Sequence, residues 1–156
     1  MILEANQVID FLKKERQQGH KIVFTNGCFD ILHMGHVDYL NKAKALGDIL
    51  ILGLNSDKSV KVLKGIGRPF ISEDQRAFIL DNLKSIDAVV LFDDDTPARL
   101  IETIKPDILA KGADYSIDQI AGAKFVVNNG GEVILIPFLN GYSTSQIISK
   151  IRANYK

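Results

Sequence analysis

The chain has 156 residues, and 19 Lys and Arg balance 19 Asp and Glu, so its formal net charge is zero. A neutral chain has no overall field that attracts nucleic acid or an anionic membrane, and we expect neither as a partner. One cysteine cannot form an intramolecular disulfide and is typical of a reducing compartment, so we expect a cytoplasmic protein. No apolar run is long enough for a membrane span.

The N-terminal segment, residues 1–18, carries apolar residues at helical spacing and predicts an amphipathic helix packed on the rest of the domain. Asn6 is a candidate cap for this helix and Gly19 a candidate stop. The segment lacks the apolar run of a secretory leader. We expect residues 1–156 to form one domain.

Beyond Gly19, strand-like and helix-like patterns alternate. They predict strands at 20–25, 48–54, 88–92, 108–110 and 133–136, and helices at 34–46, 73–83, 97–104, 116–128 and 143–152. Gly47 is the expected C-cap of the second helix, Ser72 and Gln75 form an expected capping box, and residues 58–68 an expected basic loop. This order predicts a Rossmann-like α/β domain: a five-stranded parallel sheet with helices on both faces and a ligand crevice at the carboxyl ends of its strands.

Residues 25–36, which we call the histidine turn, connect the first of these strands to the helix at 34–46. Amides at a helix N-terminus lack partners within the helix and carry partial positive charge, so anionic oxygens bind there. Gly27 lets the backbone approach a ligand closely, and Gly35 leaves the space between His33 and His36 open. We therefore expect both imidazoles to face one phosphate-binding cavity.

A metal centre is the rival use of two histidines, but it needs a third ligand. Cys28 stands alone near the pair, and the spacing is not that of zinc sites. Residues 93–95 are three consecutive aspartates before Thr96 and Pro97, and this placement favours a helix N-terminus, where negative charge is stabilising. We predict no protein-built metal site.

A hydroxyl cluster, Ser143–Ser145, opens the last predicted helix after the last strand. One cap needs only one hydroxyl, so three in succession indicate a second phosphate-binding helix start on the same sheet edge as the histidine turn. Two such starts predict a polyphosphate ligand. The chain has neither a Walker-type loop nor a complete dinucleotide fingerprint.

The histidine turn, with His33-Met34-Gly35-His36, resembles the signature of the cytidylyltransferase-like nucleotidyltransferase superfamily, and Ser143–Ser145 is similar to its C-terminal Ser/Thr motif. More narrowly, four stretches are similar to the heptose 1-phosphate adenylyltransferases, which are free-standing or the second domain of a bifunctional kinase. They are residues 24–30, 67–69, 111–115 and 130–133.

The resemblance implies transfer of AMP from ATP to a heptose 1-phosphate, specifically D-glycero-D-manno-heptose 1-phosphate. ADP-heptose and pyrophosphate would be released for surface-glycan biosynthesis of the lipopolysaccharide type. ATP would be a substrate, with Mg²⁺ held mainly by its phosphates. A sugar-phosphate oxygen would attack the α-phosphorus in line, without a covalent enzyme intermediate. Relatives of this kind also imply a homodimer.

By position, the resemblance implies that His33 and His36 donate to the triphosphate and its transition state, and that Lys44 is a phosphate-binding lysine. The residues then expected to contact the nucleotide are Thr25, Asn26, Gly27, Cys28, Phe29, Gly35, Lys111, Asp114, Gly141, Ser143, Thr144 and Ser145. Those expected to contact or orient the sugar phosphate are Asp30, Arg68 and Arg76, and the backbone at 138–141 is expected to hold the base.

Two departures from related patterns leave alternatives open. Glycerol 3-phosphate cytidylyltransferases have Arg-Thr-Glu-Gly where this chain has Phe138-Leu139-Asn140-Gly141, and Ile148 stands where some relatives have arginine. A CTP-dependent glycerol-phosphate-type transferase and a GTP-dependent heptose transferase remain rival readings. A non-catalytic nucleotide-binding module is a third, although both histidines and the hydroxyl cluster are intact.

Overall fold

The computed structural model describes residues 1–114 and 116–155, so Tyr115 of the motif at 111–115 lies outside the described residues. The strands are β1 Ile2–Leu3, β2 Ile22–Gly27, β3 Ile49–Asn55, β4 Ala88–Phe92, β5 Ile108–Gly112 and β6 Glu132–Ile136. The helices are α1 Ala5–Gln17, α2 Met34–Lys44, α3 Asp57–Lys64, α4 Glu73–Asp81, α5 Ala98–Ile104, α6 Ala123–Asn128 and α7 Thr144–Asn154, with a 3-10 turn at Ile117–Gln119.

The strands form one parallel sheet in the order β1-β4-β3-β2-β5-β6. From the central strand β2 the chain adds β3 and β4 on one side, then returns to add β5 and β6 on the other. The connections that leave the carboxyl ends of β2 and β5 therefore diverge. We call the space between them the switch-point crevice, because open α/β sheets bind ligands where the strand order reverses.

Two hydrophobic cores lie on opposite faces of this sheet, because successive strand residues point to opposite sides. Ile22 and Phe24 pack in the core that includes residues of α1, α5 and α6. Val23 packs in the other core, with residues of α2 and α4. This arrangement confirms the predicted α/β class with a parallel sheet covered on both faces.

The sheet has six strands rather than the five predicted, because Ile2 and Leu3 pair with β4 and are not helical. Two residues are too few to show a strand periodicity, and their apolar side chains also suit a helix. The helix begins after Glu4, whose backbone amide donates to the Gln7 side chain at 2.8 Å. Asn6 lies inside the helix and not at the cap position, although its side chain accepts from the Gln7 amide at 2.9 Å.

Two further predictions are wrong. Most of the expected loop at 58–68 is helix α3, which Ser56 caps by accepting from the Ser59 amide at 3.2 Å and which buries Val60 against the sheet. The helix expected at 116–128 is instead a 3-10 turn followed by α6, and Gly122 interrupts it at φ 81°. Among the described residues, no helix is both long and apolar enough to cross a membrane.

Helix ends differ in smaller ways. Helix α2 ends at Lys44 with Ala45 as its cap, and Gly47 instead packs tightly against the Lys21 carbonyl, where an added Cβ would lie 2.8 Å from the oxygen. Ser72 occupies the cap position of α4 but makes no side-chain cap hydrogen bond, so the predicted capping box is not formed. Gly19 does follow the end of α1, at φ 78°.

Candidate functional site

The two histidines of the histidine turn lie face to face at the start of α2. His33 is the N-cap residue, in extended conformation, and His36 lies in the first turn. Their rings stack with centroids 3.8 Å apart and planes 22° apart. The Nδ1 atoms of both rings are buried and have no hydrogen-bond partner among the described residues. The pair therefore keeps hydrogen-bonding capacity that the folded chain does not use.

Burial lowers the pKa of both imidazoles. The pKa of His36 falls to about 4, first because the ring is desolvated and second because a charge on His33 would repel it. Desolvation also lowers the pKa of His33. Both rings are consequently neutral near pH 7, and each carries one N–H donor and one acceptor nitrogen.

Glycines keep the histidine pair accessible and the turn tight. A Cβ added at Gly35 would lie 3.1 Å from His33 ring atoms and 3.1 Å from Cβ of Tyr142. A Cβ added at Gly27 would lie 2.8 Å from the Phe29 ring, whose backbone has the unusual φ of 46°. The Phe29 ring in turn contacts that of His36, with centroids 5.1 Å apart. A side chain at position 27 would therefore displace the Phe29 ring, and one at position 35 would press on His33 and Tyr142.

The hydroxyl cluster begins next to the histidine pair. Ser143 is the N-cap residue of α7, and its side chain accepts from the Gln146 amide at 3.2 Å. The preceding residue, Tyr142, is the one that approaches Gly35, and Gly141 turns the chain there at φ 86°. Thr144 and Ser145 form the first turn of α7. The structure thus brings two helix N-termini, those of α2 and α7, to one crevice.

Lys111 and Asn26 connect the two strands that border the crevice. The Lys111 ammonium, at the end of β5, donates to the side-chain oxygen of Asn26, at the end of β2. Burial lowers the pKa of Lys111 to about 8, although the charges of Asp114 and Cys28 oppose that shift. Asp114 follows β5 at the same end of the sheet. These residues therefore lie at the switch point.

Asp30 holds a neighbouring loop rather than facing the crevice. Its carboxylate accepts from Arg68 Nε at 2.5 Å and from the amides of Phe70 and Ile71 at 2.8 and 2.9 Å. Burial alone would raise the pKa of Asp30, but these hydrogen bonds outweigh it and lower the pKa. The Arg68 guanidinium also lies 5.0 Å from the centre of the Phe70 ring. Asp30 therefore orients the loop, and Arg68 retains limited exposure beside it.

Arg76 requires a correction, because its side chain has no exposed surface. Its guanidinium donates to the carbonyls of Ile71, Cys28 and Asn55 at 2.6–2.9 Å and to a carboxylate oxygen of Asp57 at 2.7 Å. A side chain so enclosed cannot contact a sugar phosphate directly. Arg76 instead joins the histidine turn to the carboxyl end of β3.

Lys44 also requires a correction, because it lies at the opposite end of α2 from His33. A rise of about 1.5 Å per residue separates the two by about 16 Å along the helix axis. The Lys44 ammonium donates to the Asp87 carboxylate at 2.5 Å and to the Asp48 carbonyl, at the amino ends of β4 and β3. Lys44 is therefore outside the crevice.

Lys64 lies in the stretch that the sequence predicted as a basic loop. It is the exposed last residue of α3, and its positive charge acts on Cys28 in the histidine turn. Burial nevertheless raises the pKa of the Cys28 thiol, because desolvation outweighs the charges of Lys64, Arg76 and Arg68. The lysines at 58, 61 and 64 show helical spacing, which could have revealed a basic helix instead of a loop.

Thr25 serves the sheet rather than the crevice surface. It is fully buried, and its hydroxyl lies 2.7 Å from that of Tyr39 in α2. In the part of the chain that the structure describes, no group of three or more His, Cys, Asp or Glu side chains could hold a metal ion. The donors at the crevice are imidazoles, hydroxyls, amides and an ammonium, which suit phosphate oxygens.

Residues 24–150 match the protein-family model described as cytidylyltransferase-like. Over 92% of this chain, 58% of residues are identical to "Bifunctional protein HldE" of Citrifermentans bemidjiense, and over 97% of it, 56% are identical to the protein of that name from Helicobacter pylori. The chain spans only 30% and 31% of the lengths of these relatives. A solved lipopolysaccharide core biosynthesis protein from Thermoplasma volcanium matches with a TM-score of 0.63 and 28% identity, over 80% of this chain and all of the other.

Proposed function

The chain belongs to the cytidylyltransferase-like family, and from this premise we propose that it is a heptose 1-phosphate adenylyltransferase. It would transfer AMP from ATP to D-glycero-D-manno-heptose 1-phosphate and release pyrophosphate, giving ADP-heptose for surface-glycan biosynthesis. The observation that carries the proposal is the convergence of the stacked His33–His36 pair and the hydroxyl-rich start of α7 on one crevice.

The choice of acceptor rests on similarity. The heptose-type stretches of the sequence agree with the relatives named bifunctional protein HldE and with the lipopolysaccharide core biosynthesis protein from Thermoplasma volcanium. Crevice chemistry supports the phosphate part of the assignment, since Lys111 and two helix N-termini meet there. Asp114 is a candidate acceptor for hydroxyl groups of ribose or heptose.

The proposed mechanism needs orientation and donors rather than an enzyme nucleophile. An oxygen of the sugar phosphate attacks the α-phosphorus of ATP, the new P–O bond forms, and the bond to pyrophosphate breaks in line. His33 and His36, uncharged at neutral pH, donate hydrogen bonds to oxygens on which charge increases during the transfer. Ser143, Thr144 and the first amides of α7 bind the β and γ phosphates, which leave as pyrophosphate.

Mg²⁺ fits this donor set as an ion carried by the triphosphate. No carboxylate cage among the described residues competes for it, and Mg²⁺ in such sites is commonly bound by substrate phosphates and water. When bound, it would offset the negative charge of the phosphates. The enzyme's own residues would bind the remaining phosphate oxygens.

We also propose a homodimer in the cytoplasm. The neutral chain and the N-terminal helix α1 suit self-association, and the single cysteine suits a reducing compartment. Light scattering of the purified chain at several concentrations tests the dimer, and a constant monomer mass would reject it. Cell fractionation with an antibody to the chain tests the location.

Pyrophosphate release tests the reaction. ATP, CTP and GTP are each combined with heptose 1-phosphate and with glycerol 3-phosphate, in the presence of Mg²⁺. We expect release only with ATP and the heptose. Release with CTP and glycerol 3-phosphate, or with GTP and the heptose, would assign the rival transferase activities. No release in any combination from folded protein would reject these transferase assignments and favour a non-catalytic nucleotide-binding module.

A further inference from the structure

Phe138 is an aromatic side chain held in a half-exposed position beside the crevice. It follows β6 by two residues, and 51% of its surface is exposed. The tip of its ring rests on the bare backbone of Gly112, the last residue of β5. A Cβ added at Gly112 would lie 2.1 Å from the ring's Cζ and 2.7 Å from Cε2. Only glycine at position 112 therefore leaves room for the ring where it is.

A second aromatic ring fixes Phe138 from α2. The Tyr39 ring lies 6.1 Å from that of Phe138, centre to centre, with the planes tilted by 32°. Tyr39 is buried, and its hydroxyl is hydrogen-bonded to that of Thr25 in β2. The half-exposed ring is thus attached to the central sheet through a buried chain of contacts. Such support lets an aromatic side chain remain partly exposed without collapsing onto the surface.

The loop at 138–142 joins this ring to the phosphate-binding residues. Its last residue, Tyr142, approaches Gly35 next to His33, and Ser143 then opens α7. The ring lies at the carboxyl end of β5, which borders the crevice, and a loop of at most about 17 Å separates it from the histidine pair. One end of the loop offers an aromatic surface and the other offers hydrogen-bond donors. A nucleotide likewise has an aromatic base at one end and phosphates at the other.

We propose that Phe138, seated on Gly112, is the stacking surface for the base of the donor nucleotide and favours purines over pyrimidines. The inference rests on the proposed function in so far as it assumes a nucleotide donor. An aromatic ring attracts every base through its face, but the two fused rings of a purine offer more contact area than the single ring of a pyrimidine. Phe138 is therefore a specificity residue rather than a participant in phosphoryl transfer.

Calorimetry of binding without any acceptor tests the stacking surface. The wild-type chain and its Phe138→Ala variant are titrated with ATP, CTP and inorganic tripolyphosphate in Mg²⁺ buffer. We expect the variant to bind ATP roughly ten- to one-hundred-fold more weakly, CTP with a smaller loss, and tripolyphosphate unchanged. Phe138→Leu fills part of the same space without an aromatic face and should weaken ATP binding nearly as much as Phe138→Ala. Phe78→Ala, at an aromatic residue of α4 that is 68% exposed, is the matched control.

Gly112→Ala provides an independent variant. The new methyl group occupies the space in which the tip of the Phe138 ring rests, so the ring must rotate away from position 112. The variant therefore moves the ring without removing the phenylalanine. Its methyl would also approach a carboxylate oxygen of Asp114, at 2.8 Å, so the Phe138 variants remain the primary test. We expect Gly112→Ala to weaken ATP binding more than tripolyphosphate binding, in a chain whose circular dichroism is unchanged.

Two results would overturn the inference. One is an equal loss of ATP and tripolyphosphate affinity in Phe138→Ala, which would indicate general damage to the crevice. The other is unchanged ATP affinity, or no ATP binding by the wild-type chain. Failure of the proposed function alone would give a different result. ATP binding would still depend on Phe138, but no pyrophosphate would be released from ATP when heptose 1-phosphate is added.

Discussion

Two neighbouring regions of this molecule use polar side chains in opposite ways. Around Arg76, donors and acceptors pair within the chain: the guanidinium binds three carbonyls and the Asp57 carboxylate. At the start of α2, the Nδ1 atoms of His33 and His36 are buried without a partner among the described residues. Buried polar atoms are normally satisfied, so a paired cluster indicates a structural junction and an unpaired one indicates a place for a ligand.

The strongest test of this contrast is Arg76→Ala. Removing a buried guanidinium leaves three carbonyls and a carboxylate without their donor, so we expect the free energy of unfolding to fall by about 3–5 kcal/mol. Urea denaturation followed by circular dichroism measures it. Arg99→Ala is the matched control, since Arg99 is 85% exposed and 3.6 Å from Asp94, and should change stability little. Equal stability losses in the two variants would contradict the structural interpretation of Arg76.

The histidine pair should show the reverse behaviour. We expect His33→Ala and His36→Ala each to lower turnover by roughly 10²–10³-fold, because each removes a donor to the developing charge. The urea midpoint should change far less than in Arg76→Ala, since the fold does not use these Nδ1 atoms. His20→Ala is the control, because His20 pairs with Glu15 before β2. Normal turnover in the double variant would reject a catalytic function for the pair.

The low pKa of His36 links the pair to stability at acidic pH. A folded-state pKa of about 4, against 6.5 for the free group, means that the unfolded chain takes up a proton first as pH falls. His36 should therefore lower stability progressively between about pH 6.5 and pH 4, with no effect above that window. Urea midpoints at pH 7.5 and pH 5 measure the decline, and His36→Gln should make it shallower. If the urea midpoint depended on pH equally in His36→Gln and in the wild type, the His36 ring would not be desolvated in the folded chain.

Of these variants, Lys44→Ala should have the smallest effect. The ion pair with Asp87 lies at the amino edge of the sheet and is partly exposed, so we expect a modest loss of stability. Turnover and ATP affinity should stay within about twofold of the wild-type values, since the site is about 16 Å away along α2. A large loss of ATP affinity in a stable variant would return Lys44 to the list of phosphate-binding residues.

The local parts of the candidate site could be predicted from sequence. A strand, a glycine turn and a helix start place His33, Gly35 and His36 together, and a run of hydroxyls after β6 indicates the start of α7. Both are short-range patterns. The same reasoning could have excluded Lys44, because the helical rise alone puts it one helix length from His33.

The rest depends on contacts between distant parts of the chain. In the sequence, Arg76 is an ordinary basic residue of a predicted helix. Its buried position depends on partners such as the carbonyl of Cys28, which lies 48 positions earlier. Gly112 looks like an ordinary turn glycine until the Phe138 ring rests on it. The strand at Ile2–Leu3 is likewise defined by its partner β4 and not by its own pattern. The periodicity of a short segment carries no information about contacts with residues that are distant in sequence.

Helix α7 carries the hydroxyl cluster, yet none of its described residues is buried. Its attachment therefore lacks the apolar packing that protects core elements from local opening. Its amides should exchange with deuterated solvent earlier than those of β2 and β3, whose central residues are buried. A ligand that binds α7 only when the helix is folded and docked should slow this exchange, and more strongly as more of the protein is ligand-bound. Anion binding at the N-terminus of α7 would therefore stabilise the docked helix against local opening, and part of the binding free energy would be used for that stabilisation.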